Sequence, residues 1–124
     1  MIHLDANFLI GSVNRHSPPA ILLKKWLQSR ETFAASSVAW AEFLNGPVRS
    51  DQIQQVEYLI QGRVISVGRS EAEIASQLFN QTGRRRGSLP DCFIAATAIC
   101  LRAPLATENQ KHFAPFVASG LRLA

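Results

Sequence analysis

The sequence predicts a three-layer α/β/α domain with a mostly parallel central sheet. Two observations carry this: short β-favouring runs alternate with segments of helical periodicity, and helix-opening serines and closing glycines punctuate the chain between them. Parallel strands need crossover connections, and right-handed crossovers place helices on both faces of the sheet. Five runs read as strands: "MIHLD", "TFAAS", "RVISV", "PLAT" and, more weakly patterned, the final "LRLA". With 124 residues the chain fits one domain, 1–124, large enough to bury a core without disulfides or metal staples.

The elements follow in order. "MIHLD" is the first strand, ending at Asp5. Ser17 and Pro18 open a helix whose apolar stripe is Leu22, Leu23, Trp26 and Leu27. After "TFAAS", the segment "SSVAWAEFLNG" reads as a helix that begins after Ser36 or Ser37 and stops at Gly46. Ser50 starts the next, with Ile53, Val56 and Ile60 on one side and Gly62 at its end. Following "RVISV", Ser70 and Glu73 form a capping box ahead of Ile74, Ala75, Leu78 and Phe79, and Gly83 closes that helix. "SLPDCFIAATAICLRA", residues 88–103, is an almost wholly apolar helix with Asp91 in its first turn. "PLAT" and "LRLA" complete the sheet.

Apolar content of 47% and charged content of 18% are globular values. No stretch approaches the 18 or so apolar residues of a membrane span, and the start lacks the pattern of an export signal, so a cytoplasmic location without membrane contact is expected. Cys92 and Cys100 share the last long helix, roughly 12 Å apart by helical rise, beyond disulfide reach. A net charge of +4 and a pI near 9.7 permit an anionic partner, nucleic acid first. The densest charge is Arg84, Arg85 and Arg86, in an expected loop that is either simply solvated or a phosphate contact.

Six of the nine acids have plain explanations. Asp51, Glu71 and Glu73 lie in first helical turns, Glu57 falls off an apolar stripe, Glu31 sits at a junction and Glu108 follows a strand. Asp5, Glu42 and Asp91 remain, each embedded in apolar sequence. Individually they also suit an Asx-turn, an exposed helix position and a helix cap behind Ser88. Together they fit the crevice beyond the carboxyl ends of the strands, where α/β folds bind ligands. Ala95 and Ala98, on the face of Asp91, would let its helix approach the sheet and carry that acid inward.

Three converging carboxylates repel by roughly 4 kcal/mol per pair at about 4 Å and an effective dielectric near 20. Protonation of one, or a hard divalent cation, relieves this. Oxygen ligands without a convergent His/Cys set favour Mg²⁺ or Mn²⁺ over Zn²⁺, and His3, His16 and His112 are scattered. Metal-assisted phosphodiester hydrolysis suits both the acids and the basic balance.

On "LDAN", "SSVAWAEFLNG", "LPDCFIAATA" and "LATENQKHF", in that order and spacing, the chain resembles a PIN-domain ribonuclease of the VapC toxin type over essentially its whole length. The resemblance implies a PIN-like domain with a five-stranded sheet, and Asp5, Glu42 and Asp91 binding Mg²⁺ or Mn²⁺ to cleave single-stranded or loop RNA. It also implies a small VapB-type antitoxin and a homodimer. Many relatives carry a fourth acid where this chain has Asn109, which can still offer a neutral oxygen or hold a water. Losing that charge weakens a second metal site more than the first. Arg84, Arg85, Arg86, Lys111 and Thr107 are the candidates for substrate contact, Thr107 alternatively orienting an acid or water. The alternatives are a non-catalytic RNA- or antitoxin-binding relative with a decayed metal site, and a phosphoacceptor domain using Asp5, which the absence of a Gly-rich phosphate loop disfavours.

Overall fold

The computed structural model describes residues 1–84 and 89–124. Strands β1 (Ile2–Leu4), β2 (Phe33–Ser36), β3 (Val64–Ile65) and β4 (Leu105–Ala106) form one sheet in the order β3-β2-β1-β4. Every pairing is parallel, with Ile2 opposite Phe33, Leu4 opposite Ala106 and Ser36 opposite Ile65. β1, β2 and β4 are buried along their length, which is why they read as apolar runs rather than alternating ones.

The fold class is the expected one, but the described residues hold four strands, not five. The closing "LRLA" adds a single bridge from Leu105 to Leu123, supported by Leu105 N–H donating to Arg122 O and Ala124 N–H to Leu105 O. Gly120, at φ 110°, turns the chain one residue earlier, and Leu121 is drawn into the core.

The helices are α1 (Ala6–Ser12), α2 (Pro18–Gln28), α3 (Ser37–Asn45), α4 (Ser50–Ile60), α5 (Arg69–Gln81), α6 (Leu89–Cys100) and α7 (Gln110–Phe113), followed by a 3₁₀ turn, Ala114–Ser119. Ser17 and Ser36 cap α2 and α3 as expected, each accepting from a backbone N–H three residues on. Two starts differ from the expectation. α5 begins one residue before Ser70, and its reciprocal capping carboxylate is Glu71, which accepts from Gly68 N–H; Glu73 instead pairs with Arg69 at 2.8 Å. α4 is capped from Arg49, whose N–H donates to Gln52, so Ser50 is already helical.

The steps from β1 to β2 and from β2 to β3 run in one direction, and the step from β3 to β4 returns past both. Right-handed crossovers then put α1 to α4 on one face and α5 and α6 on the other. The strand order reverses between β1 and β4. That crevice is where ligands bind in such sheets.

Phe33, Phe43, Phe113, Leu4 and Leu9 are fully enclosed at the centre of the core. Trp26 of α2 stacks on Phe8 at 6.0 Å. Cys92 and Cys100 form no disulfide. Among the described residues no helix is long and apolar enough to cross a membrane.

α1 and α2 meet at Gly11, where a Cβ would stand 2.7 Å from the Pro19 ring. A pyrrolidine cannot swing aside, so the gain in helix propensity is outweighed by overpacking. Gly11→Ala should lower stability by about 1–3 kcal/mol in urea denaturation; an unchanged or higher midpoint would show that the two helices can part without cost.

Candidate active site

Asp5 directly follows β1 and Thr107 directly follows β4, so both stand at the reversal in strand order. The two strands are bonded to the end: Asp5 N–H donates to Ala106 O at 3.0 Å. Asp5 is 5% exposed and both of its oxygens are engaged. Oδ1 accepts from Ala6 N–H at 2.8 Å, opening α1, and Oδ2 accepts from the Thr107 hydroxyl at 2.7 Å. Asp5 is thus the N-cap of α1, its plain role, and it stands at the strand reversal where the candidate site was expected. Burial pushes its carboxyl above the ordinary value, against the downward pull of the Thr107 and Ala6 hydrogen bonds.

Glu42 lies on α3, which starts at the carboxyl end of β2 because the Ser36 side chain caps it there. The residue is exposed, as its plain reading had it. Its carboxyl is nevertheless raised, first by partial desolvation and then by the charges of Asp5 and Asp91. Asp91, in the first turn of α6, is half-buried and likewise raised, by desolvation and then by Asp5, with His112 pulling the other way. Ala95 and Ala98 behind it are fully buried, as close packing of α6 requires. Asp5 thus acts on both Glu42 and Asp91, the latter 86 positions away in the chain, and Asp91 acts on Glu42.

Among the described residues, no three His, Cys, Asp or Glu side chains already stand at the spacing of ligands to one ion. Like charges at ligand distance without a counter-ion repel by several kcal/mol, so a ready-made cage is not the arrangement that the free carboxylates favour. The donor chemistry fits a hard cation: all three groups are carboxylates, and each holds its proton more tightly than usual, a penalty that a cation removes.

Asn109 enters this region by its backbone, its N–H donating to Thr107 Oγ1 at 3.0 Å, while the residue itself is exposed ahead of α7. Lys111 is exposed on α7 and Arg84 is exposed with a left-handed backbone. Arg85, Arg86 and the Ser88 cap lie outside the described residues.

Two neighbours escaped the sequence reading. His112 brings Nδ1 to 3.9 Å from Asp91 Oδ2. Asn7 joins the segment after β4, accepting from Glu108 N–H at 3.2 Å and reaching Thr107 Oγ1 at 3.5 Å. The one available signal for Asn7 was its place in "LDAN", two residues after Asp5; nothing marked His112, because its partner is distant in sequence. A separate groove of about 850 Å³ lies between α2 and α4, lined by Leu23, Leu27, Leu59 and the exposed Tyr58, and touches none of the three acids.

Comparison with known proteins gives this geometry a family. A chain of the VapBC2 complex of Rickettsia felis, bound to a DNA fragment from their promoter, is 26% identical, with a TM-score of 0.73 over 100% of this chain and 98% of that one. A chain of a toxin-antitoxin complex from Klebsiella pneumoniae is 27% identical, with a TM-score of 0.73 over 92% and 91%. FitAcB from Neisseria gonorrhoeae shares the fold at 24% identity and a TM-score of 0.71 over 100% and 97%. No curated protein sequence matches the chain. The sequence pattern of the PIN domain matches residues 2–115, a span that takes in all three acids, Thr107 and Asn109, and the chain belongs to the PIN domain family.

Proposed function

We propose that this protein is a Mg²⁺- or Mn²⁺-dependent endoribonuclease, the toxin of a toxin-antitoxin pair, acting on single-stranded or loop RNA in the cytoplasm. One observation carries the reading: Asp5 stands at the reversal in strand order, and Asp91 and Glu42, far from it in sequence, lie near enough to feel its charge. Their carboxylate oxygens would hold the ion, and the Asn109 amide oxygen would assist directly or through water. When bound, the ion supplies countercharge for the phosphodiester and lowers the pKa of the attacking water. Ala6 N–H and the Thr107 hydroxyl keep the Asp5 carboxylate from rotating. Glu42, exposed and with raised proton affinity, is suited to take the water's proton on a carboxylate oxygen. Arg84, Arg85, Arg86 and Lys111 contact flanking phosphates, which makes affinity fall with salt.

The similar chains of 26% and 27% identity come from VapBC and toxin-antitoxin complexes, and this supports a VapB-type antitoxin as partner; the homodimer rests on the family resemblance alone.

The test is cleavage of single-stranded RNA by the purified chain in Mg²⁺, lost in EDTA. A second readout needs no substrate: at 100 times its Kd, Mg²⁺ or Mn²⁺ should raise stability by about 2.7 kcal/mol, read as a higher Tm. No cleavage, with RNA bound equally well in Mg²⁺ and in EDTA, would establish the non-catalytic alternative instead.

A further inference from the structure

Asn7, half-buried in the first turn of α1, has no role in the reading above. Its contacts form an ordered series. The backbone N–H of Glu108 donates to Asn7 Oδ1 at 3.2 Å. A backbone N–H can only donate, so the amide is held one way round and its Nδ2 faces Thr107 Oγ1, at 3.5 Å the longest link. The same hydroxyl oxygen accepts from Asn109 N–H at 3.0 Å. A hydroxyl has two lone pairs and one proton. With both lone pairs taken by N–H donors, the proton goes to the remaining neighbour, Asp5 Oδ2, at 2.7 Å.

We propose that Asn7 is a positioning residue for Asp5, acting through Thr107: it fixes the hydroxyl so that its proton is committed to Oδ2 and the carboxylate presents its other lone pairs to the crevice. The same side chain clasps the residues after β4 to α1, holding the two sides of the strand reversal together beyond the last ladder bond. Ligand-supporting hydrogen bonds of this kind typically matter by 10–100-fold in metal affinity or activity. The inference rests on the nuclease reading, in which Asp5 is a ligand.

The experiment measures Mn²⁺ affinity by titration calorimetry, and kcat and KM on a single-stranded RNA, for wild type, Asn7→Ala, Thr107→Val, the double variant and Thr107→Ser. Alanine is a good helix former at an α1 position, and circular dichroism without metal checks the fold. Asn7→Ala should weaken Mn²⁺ binding by about 10-fold and lower kcat similarly, with KM for RNA nearly unchanged. The double variant should be no worse than Thr107→Val, because one removes what the other acts through, and Thr107→Ser should bind like wild type. Additive losses, or wild-type Mn²⁺ affinity in Asn7→Ala, overturn the inference while the nuclease reading stands. A wild-type protein that neither binds Mn²⁺ nor cleaves RNA overturns both.

Discussion

Asp5→Asn should leave a folded protein whose RNA cleavage falls by about 100-fold or more. Asparagine keeps an oxygen for the Ala6 N–H, so α1 stays capped. The loss is at the other atom, where an amide NH₂ now meets the Thr107 hydroxyl in place of an acceptor. The change also removes a buried negative charge that raises both Glu42 and Asp91, so those two carboxyls return toward ordinary values. Without divalent cation, Asp5→Asn should therefore be no less stable than wild type, while the Tm increase with Mg²⁺ shrinks. This opposition, neutral or better folding with lost cation response and lost cleavage, separates a ligand from a structural cap. Wild-type cleavage rates in the variant would remove Asp5 from the chemistry.

A second large effect is expected from His3, which sits in the middle of β1 and is 2% exposed, with an Nε2 that has no hydrogen-bond partner among the described residues. Burial, and then the positive amino terminus, push its pKa down to about 4 from 6.5. Below pH 6.5 the unfolded chain takes a proton that the folded chain refuses, so stability falls as pH drops. The loss grows from pH 6.5 to about pH 4 and levels off near 3 kcal/mol. The three raised carboxyls work the opposite way: their folded forms bind protons more tightly, and the stability they contribute at low pH is lost as pH rises through their folded pKa values. His3→Phe isolates the histidine, since phenylalanine fills the same buried strand position without a titrating group. Urea denaturation should show the variant matching or exceeding wild type at pH 7.5, with a lead that widens steadily toward pH 4. Parallel pH profiles for the two proteins would mean that His3 binds its proton equally well folded and unfolded, so that burial does not shift it.

Local signals were sufficient for most elements because their causes are local. Ser17 and Ser36 cap helices by reaching three residues ahead, and the enclosed strands could be read from their apolar runs. Where two capping solutions competed within a few residues, as at Gly68–Glu71 against Ser70–Glu73, sequence pattern had no means of choosing. The tail, the most weakly patterned of the five runs, makes a single bridge to β4, because after Gly120 turns Leu121 goes into the core.

The candidate site divides the same way. Asp5, Glu42 and Asp91 stood out in the chain because carboxylates in apolar surroundings are costly and call for a reason. Asn7 and His112 did not, being ordinary polar residues whose partners, Glu108, Thr107 and Asp91, are remote or across the sheet.

Taken alone, the order of residues determined the α/β class, the capped starts of α2 and α3 and which three acids to single out, since each follows from periodicity, capping or the cost of burying charge within a short window. Tertiary structure alone decided that β4 docks beside β1, thereby seating Thr107 on Asp5 and Asn7 on both Thr107 and Glu108. The physical reason is that a hydrogen bond is set by a separation of about 3 Å in space, and a contact between residues a hundred positions apart exists only once the sheet has chosen its strand order.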